Sequence, residues 1–152
     1  MKLSRDIILE IYSYIPNTSD VLNIFLLNKS FYNIKPNIFV NVFQDTEFKL
    51  NENLKNLKYF ILFHEKFKIK KLNINRNKYV TDDIFKHLKN LNSLDMHWCI
   101  QKTITDNAFK YLENLNSLDM NHCWQESITN KVFKSLKNLK VLNMSCCEQK
   151  TI

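Results

Sequence analysis

One six-residue segment returns at a fixed interval. Leu94-Asp95-Met96-His97-Trp98-Cys99 recurs as Leu118-Asp119-Met120-Asn121-His122-Cys123, and again as Leu142-Asn143-Met144-Ser145-Cys146-Cys147. The interval is 24 residues on both occasions. An earlier copy, Leu72-Asn73-Ile74-Asn75-Arg76-Asn77, stands 22 residues before the first of these. A period in this range is the signature of a solenoid, where a unit buries its apolar face only by stacking on its neighbours. Function then belongs on a surface rather than in a catalytic pocket.

The remainder of the repeat keeps step. Ile104 and Ile128 follow their cysteines by five positions, whereas Val80 follows Asn77 by three, so the two-residue difference in period falls in that loop. From there Val80, Phe85, Leu88, Leu91 and Leu94 align without gaps with Ile104, Phe109, Leu112, Leu115 and Leu118, and with Ile128, Phe133, Leu136, Leu139 and Leu142. Phe and Leu three apart share a helix face. Thr81, Thr105 and Thr129 are natural N-caps, with Asp82 and Asp106 in the first turn. The Leu-x-Met segments alternate apolar and polar residues as strands do. Stacked copies pair into a parallel sheet, Leu94 and Met96 inward and Asp95 and His97 outward, with helices closing the other side of the core.

These residues resemble the cysteine-containing leucine-rich repeat, roughly L-x-x-L-x-L-x-x-C followed by I-T-D and a helix. Leu115-Asn116-Ser117-Leu118-Asp119-Met120-Asn121-His122-Cys123 with Ile128-Thr129 fits closely. Asn77 stands where the ordinary repeat has Asn. The likeness covers about half the chain. The family's small residue before the helical Leu is missing; Asp83, Asn107 and Lys131 occupy that neighbourhood. The resemblance implies a right-handed solenoid of about three and a half repeats over 72–152, parallel strands inside and helices outside.

The N-terminal residues read differently. Asp6 to Ile15 form an amphipathic helical pattern ended by Pro16-Asn17, a second runs through Val21, Leu22, Phe25 and Leu26, and a third from Lys29 to Ile34 stops at Pro36. Three short helices bury little surface, so such a unit benefits from a partner. The run from Leu3 to Pro16, followed by Ser19-Asp20-Val21-Leu22 and Leu27-Asn28-Lys29-Ser30-Phe31, resembles the F-box. Ser4 stands in place of that family's Pro. F-box proteins bind a Skp-type adaptor and through it a cullin–RING ubiquitin ligase. By resemblance Leu3, Ser4, Ile7, Ile8, Ile11, Val21 and Leu22 match adaptor-contacting positions, although the isoleucines equally suit a three-helix core. The expected fold class is thus α/β: an F-box-like unit over 1–36, a connecting and solenoid-capping segment over 37–71, and the repeats. Leu54 to Phe67 reads as a helix, and the linker lacks a Pro/Gly/Ser-rich stretch, which favours rigid packing of the two units.

Chemistry within the repeats is tempting but sparse. His97, Cys99, His122, Cys123, Cys146 and Cys147 suggest zinc, which favours Cys and His in closely paired sets of four. Here the thiols recur at the repeat period in a slot that Asn77 fills in the first copy. The slot faces the turn after the strand, where a small polar side chain satisfies loop backbone. Asn77, Cys99, Cys123 and Cys147 therefore read as a structural ladder, with no metal and no cofactor; a disulfide between neighbouring rungs is the other alternative. Cys146 lies outside the ladder and is the more exposed thiol. No nucleophile–base pair or phosphate loop has a credible setting, and the chain contains no Gly. An enzyme is not expected.

The better site is the outward face of the strands. One column is Asn73, Asp95, Asp119 and Asn143; the next is Asn75, His97, Asn121 and Ser145; Arg76, Trp98, His122 and Cys146 form the rim. Exposed aromatic and charged residues there suit a target protein, while the plainer alternative is a solvated polar sheet. The net charge is +7, but Lys86, Lys89, Lys110, Lys134 and Lys137 fall on the helix side, and no basic stripe with interleaved aromatics appears. Nucleic acid is therefore a lesser alternative. No apolar run approaches the ~20 residues that span a bilayer, and the N-terminus does not read as a secretory signal. The expected setting is cytoplasmic or nuclear, with reduced thiols. The expected function is substrate recognition in a Skp–cullin–F-box ligase; the alternative is a repeat scaffold unconnected with ubiquitination. Glu148 to Ile152 begins another copy, so the repeat array reads as incomplete.

Overall fold

The computed structural model describes residues 47–50, 57, 60–61, 64–65 and 68–147. Five three-residue strands form one parallel sheet in chain order: β1 (Glu47–Lys49), β2 (Lys71–Asn73), β3 (Ser93–Asp95), β4 (Ser117–Asp119) and β5 (Val141–Asn143). Register follows the sequence period. Phe48, Leu72, Leu94, Leu118 and Leu142 are successive pairing partners. The shorter step between Leu72 and Leu94 leaves the register intact, because the loop after Asn77 absorbs it. There the Asn77 side-chain oxygen accepts from the backbone N–H groups of Tyr79 (2.9 Å) and Val80 (3.1 Å), closing the tighter turn.

β1 adds a rung that the motif did not disclose. Phe48 and Leu50 are fully buried and take the places of Leu72 and Ile74. The segment expected only to connect and seal thus contributes a regular strand. Phe60, Ile61, His64 and Glu65 are helical, as the Leu54–Phe67 pattern suggested.

The outer layer is slighter than the helices the sequence implied. It consists of single turns: α1 (Asp82–Phe85), α2 (Asp106–Phe109) and a 3₁₀ turn over Asn130–Lys134. Beyond them the chain continues in three-residue turns, with Leu88 N–H bonded to Phe85 O (2.9 Å) and Leu91 N–H to Leu88 O (2.9 Å). A spacing of three serves such a run as well as a helix. The core lies between sheet and turns, with Leu72, Ile74, Phe85, Leu94, Met96, Phe109, Leu118 and Met120 all buried.

Polar bonds between rungs complete the stack. The Asp82 carboxylate accepts from both the N–H (2.7 Å) and the hydroxyl (2.6 Å) of Thr105. Asp106 does the same for Thr129, at 2.7 and 2.8 Å. Thr105 and Thr129 cap their turns as expected, accepting from the N–H of Asn107 and Lys131, whereas Thr81 makes no side-chain cap bond. At the far edge the core thins: Leu142 is 42% exposed, against 1% for Leu118.

Candidate functional site

The ladder positions are structural donors. Cys99, Cys123 and Cys147 each donate a thiol hydrogen to a carbonyl of the preceding rung: Ile74 O (3.3 Å), Met96 O (3.0 Å) and Met120 O (2.8 Å). Burial pushes Cys99 up to about 12, and raises Cys123 and Cys147 as well. A thiol held protonated can serve as the donor to these carbonyls and is a weak nucleophile. All four cysteines are free thiols, and Cys146 is exposed. Among the described residues no three or more His, Cys, Asp or Glu groups converge. Asn77 shares the slot, and its side-chain oxygen accepts within its own loop.

The first outward column is tied to the backbone. Asn73, Asp95, Asp119 and Asn143 each accept from the N–H two residues on, at Asn75, His97, Asn121 and Ser145, over 2.8 to 3.1 Å. These bonds end each strand and aim the next residue outward. The two outer amides also donate inward: Asn73 to Asp95 (2.7 Å) and Asn143 to Asp119 (2.9 Å). This corrects one expectation. Asn73 is not an open surface residue but buried, at 9% exposure, with its amide spent on these two bonds and a strand on either side of it. Asn75, Asp95, His97, Trp98, Asp119, Asn121, His122 and Asn143 are half-buried, and Ser145 is exposed. The outward face also includes Lys71, Ser93, Ser117 and Val141, one position earlier in the alternation.

The rim gathers the aromatic residues. Arg76, Trp98, His122 and Cys146 all adopt the left-handed backbone conformation, with φ of 54° to 57°. A non-glycine residue there costs roughly 1–2 kcal/mol. The conformation turns the chain out of the strand and stacks these side chains rung upon rung. Trp98 and His122 are parallel, with ring centroids 4.2 Å apart and planes 8° apart. The Arg76 guanidinium sits 5.9 Å from the Trp98 ring centroid, and the His97 ring lies 5.9 Å from Trp98 and 5.7 Å from His122. Trp124 stands edge-on, 5.8 Å from Trp98 and 6.5 Å from His122, its indole N–H donating to Cys146 O (2.9 Å). Trp124 escaped the sequence reading. It is 48% exposed, and Ile100, 24 positions earlier, is 61% exposed. The two extend an apolar edge beside the stack.

The expected adaptor-binding residues Leu3, Ser4, Ile7, Ile8, Ile11, Val21 and Leu22 lie outside the described residues, as do the segments expected to form three N-terminal helices and the expected copy beginning at Glu148.

No protein-family model matches the sequence, and no curated protein does. Solved structures do match. A chain of the Drosophila Toll–Spatzle complex superposes over 84% of this chain with a TM-score of 0.57 at 14% identity. A chain of the TLR13–ssRNA13 complex superposes over 73% with a TM-score of 0.51 at 20% identity. The matched region spans 18% and 17% of those longer chains. At such identity the likeness speaks to fold, and the fold is a leucine-rich-repeat solenoid.

Proposed function

We propose that this chain is a protein-interaction adaptor whose strand face and aromatic rim hold a target protein. The carrying observation is the half-buried stack of Trp98 and His122, flanked by Trp124 and bordered by two carboxylates. Aromatic residues set rigidly in a partly polar surface are the usual anchors of protein interfaces. On this reading the N-terminal segment, which resembles an F-box, binds a Skp-type adaptor, and the complex presents the target to a cullin–RING ubiquitin ligase. The chemistry then resides in other, intracellular subunits. Support for that half comes from the residues of the Leu3–Pro16 motif and the repeats that follow it.

The solved TLR13 structure is a complex with RNA, and stacked aromatic rings also suit bases. Asp95 and Asp119 stand beside the stack and oppose phosphate, which favours a protein partner. Co-purification tests the ligase half. Wild type is expected to retain a Skp-type adaptor that an Ile8→Asp, Ile11→Asp variant loses, with circular dichroism confirming that both are folded. Equal recovery from two folded proteins would leave a repeat scaffold unconnected with ubiquitination.

A further inference from the structure

Taking the strand face as the binding surface, as proposed above, we infer that it receives an arginine side chain of the partner, its guanidinium set across Asp95 and Asp119. These two residues are register partners on β3 and β4. Neighbouring strands run about 4.8 Å apart, so the carboxylates stand side by side. The donors that reach them are neutral: the Asn73 amide and His97 N–H on Asp95, the Asn143 amide and Asn121 N–H on Asp119. Among the described residues neither is ion-paired. Like charges directly opposite on a sheet are destabilising, and a cation between them reverses the sign.

The turn itself does not require the charge. Asn73 and Asn143 accept the same backbone bond with a neutral amide oxygen. Each second carboxylate oxygen is held by a neutral amide, so the turn and inter-rung bonds leave the negative charge of the pair uncompensated and complementary to a cation. Guanidinium fits better than ammonium, because its planar fork engages two carboxylates at once and its faces lie well on aromatic rings. Arg76 over Trp98 shows that this rim already receives one. At long range the +7 chain repels a basic segment, and Lys71 and Arg76 belong to this side of the sheet, but the helix-side lysines lie away from it. Screening over about 8 Å at physiological salt leaves the local pair in control. Residues next to the arginine would cover the apolar edge at Ile100 and Trp124.

A displayed random-peptide library selected on the full chain tests this. Wild type is expected to enrich peptides sharing an arginine, and these are then titrated by intrinsic fluorescence, since Trp98 and Trp124 are the chain's two tryptophans. Replacing that arginine by citrulline, its uncharged isostere, is expected to weaken binding about tenfold or more. On an Asp95→Asn, Asp119→Asn variant, the arginine and citrulline peptides are expected to differ less than about threefold, the charge-assisted term being gone. Citrulline binding as well as arginine on wild type would overturn the inference without recourse to any variant. Arginine-free peptides that bind wild type but not Trp98→Ala would also overturn it, while leaving the face as the binding surface. Failure to enrich any peptide sensitive to Trp98→Ala would overturn both.

Discussion

At the scale of single residues, burial decides which groups are reactive. Cys99 and Cys123 are buried donors with raised pKa, whereas Cys146 is exposed. Iodoacetamide at neutral pH, followed by peptide mass mapping, is expected to label Cys146 first and to spare Cys99 and Cys123 until the chain unfolds. His64 gives a pH signature. Burial, aided by the nearby Lys68 charge, lowers it from 6.5 to about 4 in the folded chain. The unfolded chain binds a proton below about 6.5 that the folded chain refuses until about pH 4, so stability falls as pH drops through that window. The loss approaches about 3 kcal/mol. Urea midpoints from pH 7 to 4 are expected to fall less for His64→Leu than for wild type. The inward Leu and Met positions and the thiol ladder were legible because each repeats in the sequence, and the exposed Cys146 because it falls outside that ladder. Trp124 was not. Its slot holds Ile in one copy and Glu in another, so the period carries no signal there.

Among elements, the links between rungs matter more than the caps within them. Removing the Asp106 carboxylate leaves the Thr129 N–H and hydroxyl without their acceptor. Asp106→Ala is expected to cost about 1–3 kcal/mol. Thr81→Ala, which removes no side-chain cap bond, is expected to cost under about 0.5 kcal/mol. Chemical denaturation of the two variants checks the contrast. The sequence indicated the Thr caps but not the Asp–Thr bonds, because a partner 23 residues away is visible only once the stack is built. For the same reason Asn73 read as a surface residue although its amide is committed to the next rung. β1 was hidden because Phe48-Lys49-Leu50 offers only its alternation, without the recognisable Leu and Cys frame.

For the whole molecule, stacking makes stability depend on position. A rung enclosed by neighbours loses more than one at an edge. Leu118→Ala, at a buried site, is expected to cost about 2–5 kcal/mol, and Leu142→Ala, at a site 42% exposed, clearly less. Comparison of their denaturation midpoints tests the one-dimensional picture. The same stacking builds the proposed binding face, since no single repeat contains it: Arg76, Trp98 and His122 come from three successive rungs. Site-specific photo-crosslinking of the full chain probes that face most directly, with the reactive group placed at Asn121 on the strand face or at Lys110 on the opposite, helix side. A partner is expected to crosslink from position 121, to be lost with Trp98→Ala, and not to crosslink from position 110. Crosslinking from 110 but not from 121 would contradict the assignment of function to the strand face.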